Sequence, residues 1–75
     1  MLQVLLFASL RDRAGWSERT VPLGPEAISA GQLWSQLGLG SMQGISIAVN
    51  QQLVSADQLL QPGDELAFLP PFTGG

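Results

Sequence analysis

The stretch Ile28-Ser-Ala-Gly-Gln-Leu-Trp-Ser-Gln-Leu-Gly38 decides the fold, because it predicts one short amphipathic helix. Ser29 is a favourable N-cap residue, and Gln32 stands three positions later, where it completes a capping box. Leu33 and Leu37 are spaced i, i+4, and with Ala30 and Trp34 flanking them they give the helix one apolar stripe. The closing glycine of the stretch suits the left-handed position that ends a helix. The chain therefore contains a helix that needs an apolar surface to pack against.

Four segments around this helix predict β-strands, and a fifth is briefly extended. The first segment is apolar on both period-2 phases, which is typical of a central strand. Pro22 lies near the end of the second, where its missing N–H is tolerated. The segments are Leu2–Leu10, Glu18–Leu23, Ile45–Val49 and Glu65–Leu69, with the short piece at Leu53–Val54. Charges and a glycine make residues 11–16 an expected loop, and Gln61-Pro-Gly-Asp64 predicts a type II turn.

The order of these elements restricts the architecture. A single helix must lie across one face of a mixed sheet if both are to bury their apolar sides. The predicted fold is therefore α+β, of the β-grasp (ubiquitin-like) type, with about five strands and one main helix. Residues 1–69 would form the domain, and residues 70–75 an extended C-terminal tail. The predicted inward residues are Val4, Leu6, Val21, Ile45, Ile47, Leu66 and Phe68, facing Leu33 and Leu37.

Composition excludes most side-chain chemistry in this chain of 75 residues. It has no Cys and no His, so disulfides, thiolate nucleophiles and the usual metal ligands are absent, and no metal site is predicted. A net charge of −3 disfavours nucleic-acid binding. No apolar run approaches a membrane span. The apolar start lacks the basic flank and cleavage site of a signal peptide, so we expect a cytoplasmic protein.

The outward face of the predicted sheet is one of two features left to carry function. No predicted helix remains to cover it, and an open apolar patch of this kind usually marks an interface. Alternatively, Phe7 and Leu69 pack on each other or under the loop at residues 11–16. The outward residues are Leu5, Phe7, Ala48, Ala67 and Leu69, with Leu53 near the rim.

The C-terminal tail is the second feature. Its six residues are Pro70, Pro71, Phe72, Thr73, Gly74 and Gly75. The prolines restrict its base to extended geometry, and at ~3.3 Å per residue the tail could reach about 20 Å. A terminal Gly-Gly can thread a narrow channel, and its carboxylate is ionised at neutral pH. A frayed, inert end is the alternative, but the stiff base favours a tail presented to a partner.

These residues resemble the MoaD and ThiS sulfur carriers, and within them the small subunits of molybdopterin synthase. The resemblance covers the whole chain and is carried by Val4-Leu-Leu-Phe-Ala-Ser-Leu-Arg11, Asn50-Gln-Gln-Leu-Val-Ser55 and Pro62-Gly-Asp-Glu-Leu-Ala-Phe-Leu-Pro-Pro-Phe-Thr-Gly-Gly75. It implies that an E1-like activating enzyme uses ATP to adenylate the Gly75 carboxylate. A sulfur donor then converts it to a thiocarboxylate.

The resemblance also implies partners and a division of labour. The tail would enter the large subunit of the synthase, where its sulfur helps to build the dithiolene of molybdopterin from cyclic pyranopterin monophosphate. The chain would be no enzyme on its own and would bind no cofactor, since the activating enzyme consumes the ATP. The apolar contacts to the large subunit fall on Phe7, Leu53 and Leu69.

Several features of this resemblance leave alternatives open. Arg11 matches a recurrent basic position that could pair with an acidic partner residue, although a solvated surface arginine is the simpler interpretation. Position 69 is Leu where Phe is frequent, position 72 is Phe where a smaller residue is common, and the stretch from Ser41 to Gly44 matches nothing specific. The same terminal chemistry would also serve a carrier for thiazole or another sulfur-containing product, or a ubiquitin-like protein modifier.

Overall fold

Seven elements follow one another in the computed structural model, which describes residues 1–71. The strands are β1 (Leu2–Leu6), β2 (Glu18–Val21), β3 (Ser46–Val49), β4 (Gln52–Val54) and β5 (Glu65–Leu69). The helices are α1 (Ser9–Ala14) and α2 (Ala30–Leu37). Within the described part of the chain, no helix has the length and apolar character that crossing a bilayer requires.

The five strands form one mixed sheet in the order β2-β1-β5-β3-β4. Strands β1 and β5 pair in parallel at its centre, and the other pairs are antiparallel. The side chains of one face are buried against α2, as the alternation along each strand predicts. The buried strand residues are Leu2, Val4, Leu6, Ile47, Val49, Leu66 and Phe68, and the buried α2 residues are Ala30, Leu33 and Trp34. The predicted β-grasp fold is confirmed.

The sequence signals at both ends of α2 are also confirmed. The Gln32 N–H donates to Ser29 Oγ at 3.2 Å, and the Ser29 N–H donates to Gln32 Oε1 at 2.8 Å, which is a complete capping box. Gly38 ends the helix with φ 68°. The buried stripe is rotated from the predicted one, because Trp34 fills the core and Leu37 is only partly buried. The Trp34 and Phe68 rings meet edge to face with centroids 4.9 Å apart.

The first predicted strand was too long. Strand β1 ends at Leu6, and the residues that follow form α1 in place of a strand end and loop. The chain turns at Ala8, whose φ of 51° and ψ of −128° are incompatible with a continuing strand. Leu10 is fully buried in α1. The apolar run therefore reflects burial in two different elements, which periodicity over so few residues does not separate.

The bounds of β2 and β3 also differ slightly from the predicted ones. Strand β2 stops at Val21, because Pro22 has no N–H to continue the pairing, and β3 starts one residue later than predicted. The predicted inward residues Val21 and Ile45 pack against the core but are only partly buried. The predicted turn before β5 is present, since the Asp64 N–H donates to the Gln61 carbonyl at 3.1 Å.

Candidate partner-binding face and tail exit

The outer face, meaning the side of the sheet opposite α2, carries one apolar row across four strands. Leu5 pairs with Ala67, Ala67 with Ala48, and Ala48 with Leu53, so the four side chains follow one another on neighbouring strands. Ala67 and Ala48, at the centre of the row, have shorter side chains than the leucines at its two ends. Leu53 is 78% exposed at the rim. The row is therefore an apolar strip that crosses four strands of the sheet.

A second row lies beside it, at the end of the sheet where β5 finishes. Leu69 pairs with Ser46, and the Phe7 N–H donates to the Phe68 carbonyl at 3.3 Å, which places Phe7 next to β5 beyond the end of β1. Leu69 is half-buried, whereas Phe7 is 45% exposed. The segment at residues 11–16 therefore does not cover Phe7, and its ring is accessible to a partner.

The other end of the outer face is polar. Gln3 pairs with Glu65 and with Thr20, and Glu18 pairs with Leu5. The Gln3 Nε2 donates to Glu18 Oε1 at 2.7 Å, so an amide and a carboxylate are held together there. The face is therefore asymmetric: its apolar part adjoins the point where the chain leaves β5, and its polar side chains lie at the opposite end of the strands and on the edge strand β2.

The three arginines have different surroundings. Arg13 Nη1 donates to the Leu39 carbonyl at 2.9 Å, and the Arg19 guanidinium lies 4.3 Å from the centroid of the Trp16 ring. Arg13 and Arg19 therefore make contacts within the domain. Arg11 is exposed on α1, three residues after Ala8 and close in sequence to Phe7. Its position is compatible with a contact to an acidic partner residue, and the predicted role in the interface stays a prediction.

The tail exit is formed by Pro70, which is half-buried, and by Pro71, whose ring lies against Gly44. The remaining tail residues, Phe72, Thr73, Gly74 and Gly75, lie outside the described residues, so the roles predicted for them stay predictions. The sequence pattern predicts no role for the segment that contains Gly44. The signal that could have found it is the glycine at the third position of Met42-Gln-Gly-Ile45, where a type II turn requires it.

Other surfaces of the molecule offer little chemistry. A groove of about 650 Å³ runs between the β2–α2 connection and α2, but its lining supplies only one carboxylate, Glu26, and one hydroxyl, Ser35. Among residues 1–71, no group of three or more acidic side chains is placed to hold a metal ion. The outer face and the tail exit are therefore the candidate functional site.

Comparison with known proteins agrees with the resemblance seen in the sequence. A model described as the ThiS family matches residues 4–75. The molybdopterin synthase sulfur carrier subunit of Homo sapiens is 40% identical over 83 residues, covering 99% of this chain and 93% of the human protein. Its counterpart in Escherichia coli (strain K12) is 37% identical and is covered over 100% of both chains.

The fold has close structural neighbours. The crystal structure of SAMP1 from Haloferax volcanii superimposes with a TM-score of 0.80 and covers 99% of this chain and 98% of its own. Sequence identity to that protein is 24%, so the likeness concerns the fold alone.

Proposed function

Because the chain belongs to the ThiS family, we propose that it is the sulfur-carrier subunit of a molybdopterin synthase. The observation that carries the proposal is the match, over the whole chain, to two relatives that bear this name. The placement of an accessible apolar face next to the tail exit supports it, because a carrier must dock its body and present its tail to the same partner.

In this proposal the reactive group is the carboxylate of Gly75. A carboxylate is a poor electrophile, so an E1-like enzyme first joins it to AMP from ATP and releases pyrophosphate. Hydrosulfide released from a sulfur donor then attacks the activated carbonyl, the bond to AMP breaks, AMP leaves, and a thiocarboxylate remains. The carrier needs no catalytic side chain for this chemistry, and the sequence contains no His, Cys or Lys that would supply one. In this proposal the chain binds no cofactor of its own, and its activation takes place in the cytoplasm.

The proposed docking surface for the large subunit is the apolar part of the outer face. Phe7, Leu53 and Leu69 would enter apolar sites on the partner, with Arg11 near an acidic residue at the edge. The tail would then extend from Pro70 and Pro71 into the active site of the large subunit. There the sulfur of the thiocarboxylate would bond to cyclic pyranopterin monophosphate, and water would then cleave the acyl–sulfur bond and regenerate the carboxylate of Gly75.

Intact mass spectrometry tests the carrier chemistry. The chain is incubated with the activating enzyme, ATP and a sulfur donor, and its mass should rise by the difference between sulfur and oxygen. A chain that lacks Gly75 but is otherwise intact is the control and should stay unmodified. If the full chain also remains unmodified, the proposed function is wrong.

A carrier for a different sulfur-containing product, such as a thiazole, is the second candidate, because the matching family model is that of ThiS. The terminal chemistry would be identical, so reconstitution with the acceptor enzyme separates the two. Molybdopterin formed with the large synthase subunit supports the first candidate. Product formed only with a thiazole synthase supports the second, and covalent conjugates to other proteins that depend on Gly75 would indicate a protein modifier.

A further inference from the structure

The segment between α2 and β3, residues 39–45, is anchored to the body by both helices. Arg13 of α1 donates to the Leu39 carbonyl at 2.9 Å, and the Trp34 indole N–H of α2 donates to the Gly40 carbonyl at 2.8 Å. The Leu39 side chain is buried, and Met42 packs against the core. A loop held by two side-chain hydrogen bonds and two apolar contacts can serve as a fixed support.

The end of this loop is a tight turn with Gly44 at its third position. The Ile45 N–H donates to the Met42 carbonyl at 3.0 Å, and Gly44 has φ of +79°, a conformation that side-chain-bearing residues rarely adopt. The Cα atom of Gly44 faces the ring of Pro71. A Cβ added at position 44 would lie 3.2 Å from Pro71 Cβ and 3.3 Å from Pro71 Cγ, so the ring would have to move by a few tenths of an ångström.

We propose that Gly44 is a positioning residue for sulfur transfer: it forms the seat on which Pro71 rests and so sets the direction in which the tail leaves the body. The proposal rests on the proposed carrier function. The proposal adds that the direction of the tail is set by a contact between two residues 27 positions apart in the sequence.

The displacement of the end of the tail can be calculated from the displacement of Pro71 by treating the tail as a rigid extended chain. A displacement of about 0.3 Å across one Cα–Cα step of ~3.8 Å is a tilt of about 5°. For a tail held extended, four further residues would span about 13 Å, and this tilt would move their end by about 1 Å. Misplacing a reacting group by 1 Å can lower its rate by about a hundredfold. A methyl group at position 44 should therefore impair the reaction of Gly75 without altering the docking face.

The test compares Gly44→Ala with Gly63→Ala in the full chain. Gly63 also has a positive φ, +90°, but a Cβ there meets nothing within 4 Å, so both variants carry similar backbone strain and only the first disturbs Pro71. Each is assayed for thiocarboxylate formation and for sulfur transfer with the large subunit. We expect the kcat of sulfur transfer with the large subunit to be about ten- to a hundredfold lower for Gly44→Ala than for Gly63→Ala. The KM of that reaction should change little.

A second variant separates positioning from general damage. Pro71→Gly removes the Cβ, Cγ and Cδ atoms that the new methyl group would meet. Adding Gly44→Ala to Pro71→Gly should therefore cause no further loss of kcat. If the two losses simply multiply, or if Gly44→Ala behaves like Gly63→Ala, the positioning role is wrong.

The contact is also tested without any partner. In the NMR spectrum of the free wild-type chain, the Gly44 Hα protons should show nuclear Overhauser effects to the Pro71 ring, and their absence would overturn the proposal. If the contact is present but the wild-type chain is never loaded with sulfur, the proposed function is wrong and the positioning role falls with it. If the wild-type chain is loaded and the variants are equal, the function stands and only the positioning role is wrong.

Discussion

Phe7→Ala is the sharpest test of the docking face, because Phe7 is accessible and belongs to the proposed contact. A phenylalanine buries about 200 Å² when fully covered, so its 45% exposed fraction corresponds to about 90 Å² that a partner could cover. At about 25 cal/mol per Å² this is worth about 2 kcal/mol. The Kd for the large subunit should therefore rise roughly 30-fold.

The matched control for this change is Leu59→Ala. Leu59 is 55% exposed, but it bridges to Ser29 at the start of α2 and so lies away from the outer face. Isothermal titration calorimetry with the large subunit gives both Kd values, and urea denaturation shows whether each variant is folded. A Kd for Phe7→Ala equal to that of the wild type, or equal weakening by both variants, would refute the assignment of the face.

Three further predictions concern the fold. Leu6→Ala removes a side chain that is 2% exposed and should lower the free energy of unfolding by about 2–5 kcal/mol, as measured by urea denaturation. Ser29→Ala removes the capping box and should cost about 1 kcal/mol, whereas Ser35→Ala, at an exposed α2 position, should change stability little. Ala8→Gly relieves a conformation with φ 51° and should raise the thermal midpoint by the equivalent of about 1 kcal/mol; a lower midpoint would show that the strain is absent.

Local signals were sufficient for much of the fold. Ser29 and Gln32 specify the start of α2 through contacts within one helical turn, and Gly63 specifies the turn before β5. These features depend on neighbours in the sequence. The predicted family resemblance, which rests on the motifs at both ends of the chain, is confirmed as well.

Features that depend on distant residues were missed. Helix α1 forms because Leu10 finds a place in the core, and its six residues are too few to show a helical period of apolar side chains. At the candidate site, alternation along β1 and the rim position of Leu53 were enough to predict the accessible Phe7 and Leu53. The seat of Pro71 on Gly44 was beyond prediction, because it joins two segments that only the assembled sheet and loop bring together.

The position of β5 between β1 and β3 has a consequence for biosynthesis. The central strand of the sheet is the last of the five in chain order, so the pairs β1–β2 and β3–β4 cannot join into one sheet until β5 has been synthesised. Pairing between the first and last strands also gives the fold a high contact order, which slows folding. Because Pro70 and Pro71 follow β5 directly, the tail exit takes its place only after β5 has closed the sheet.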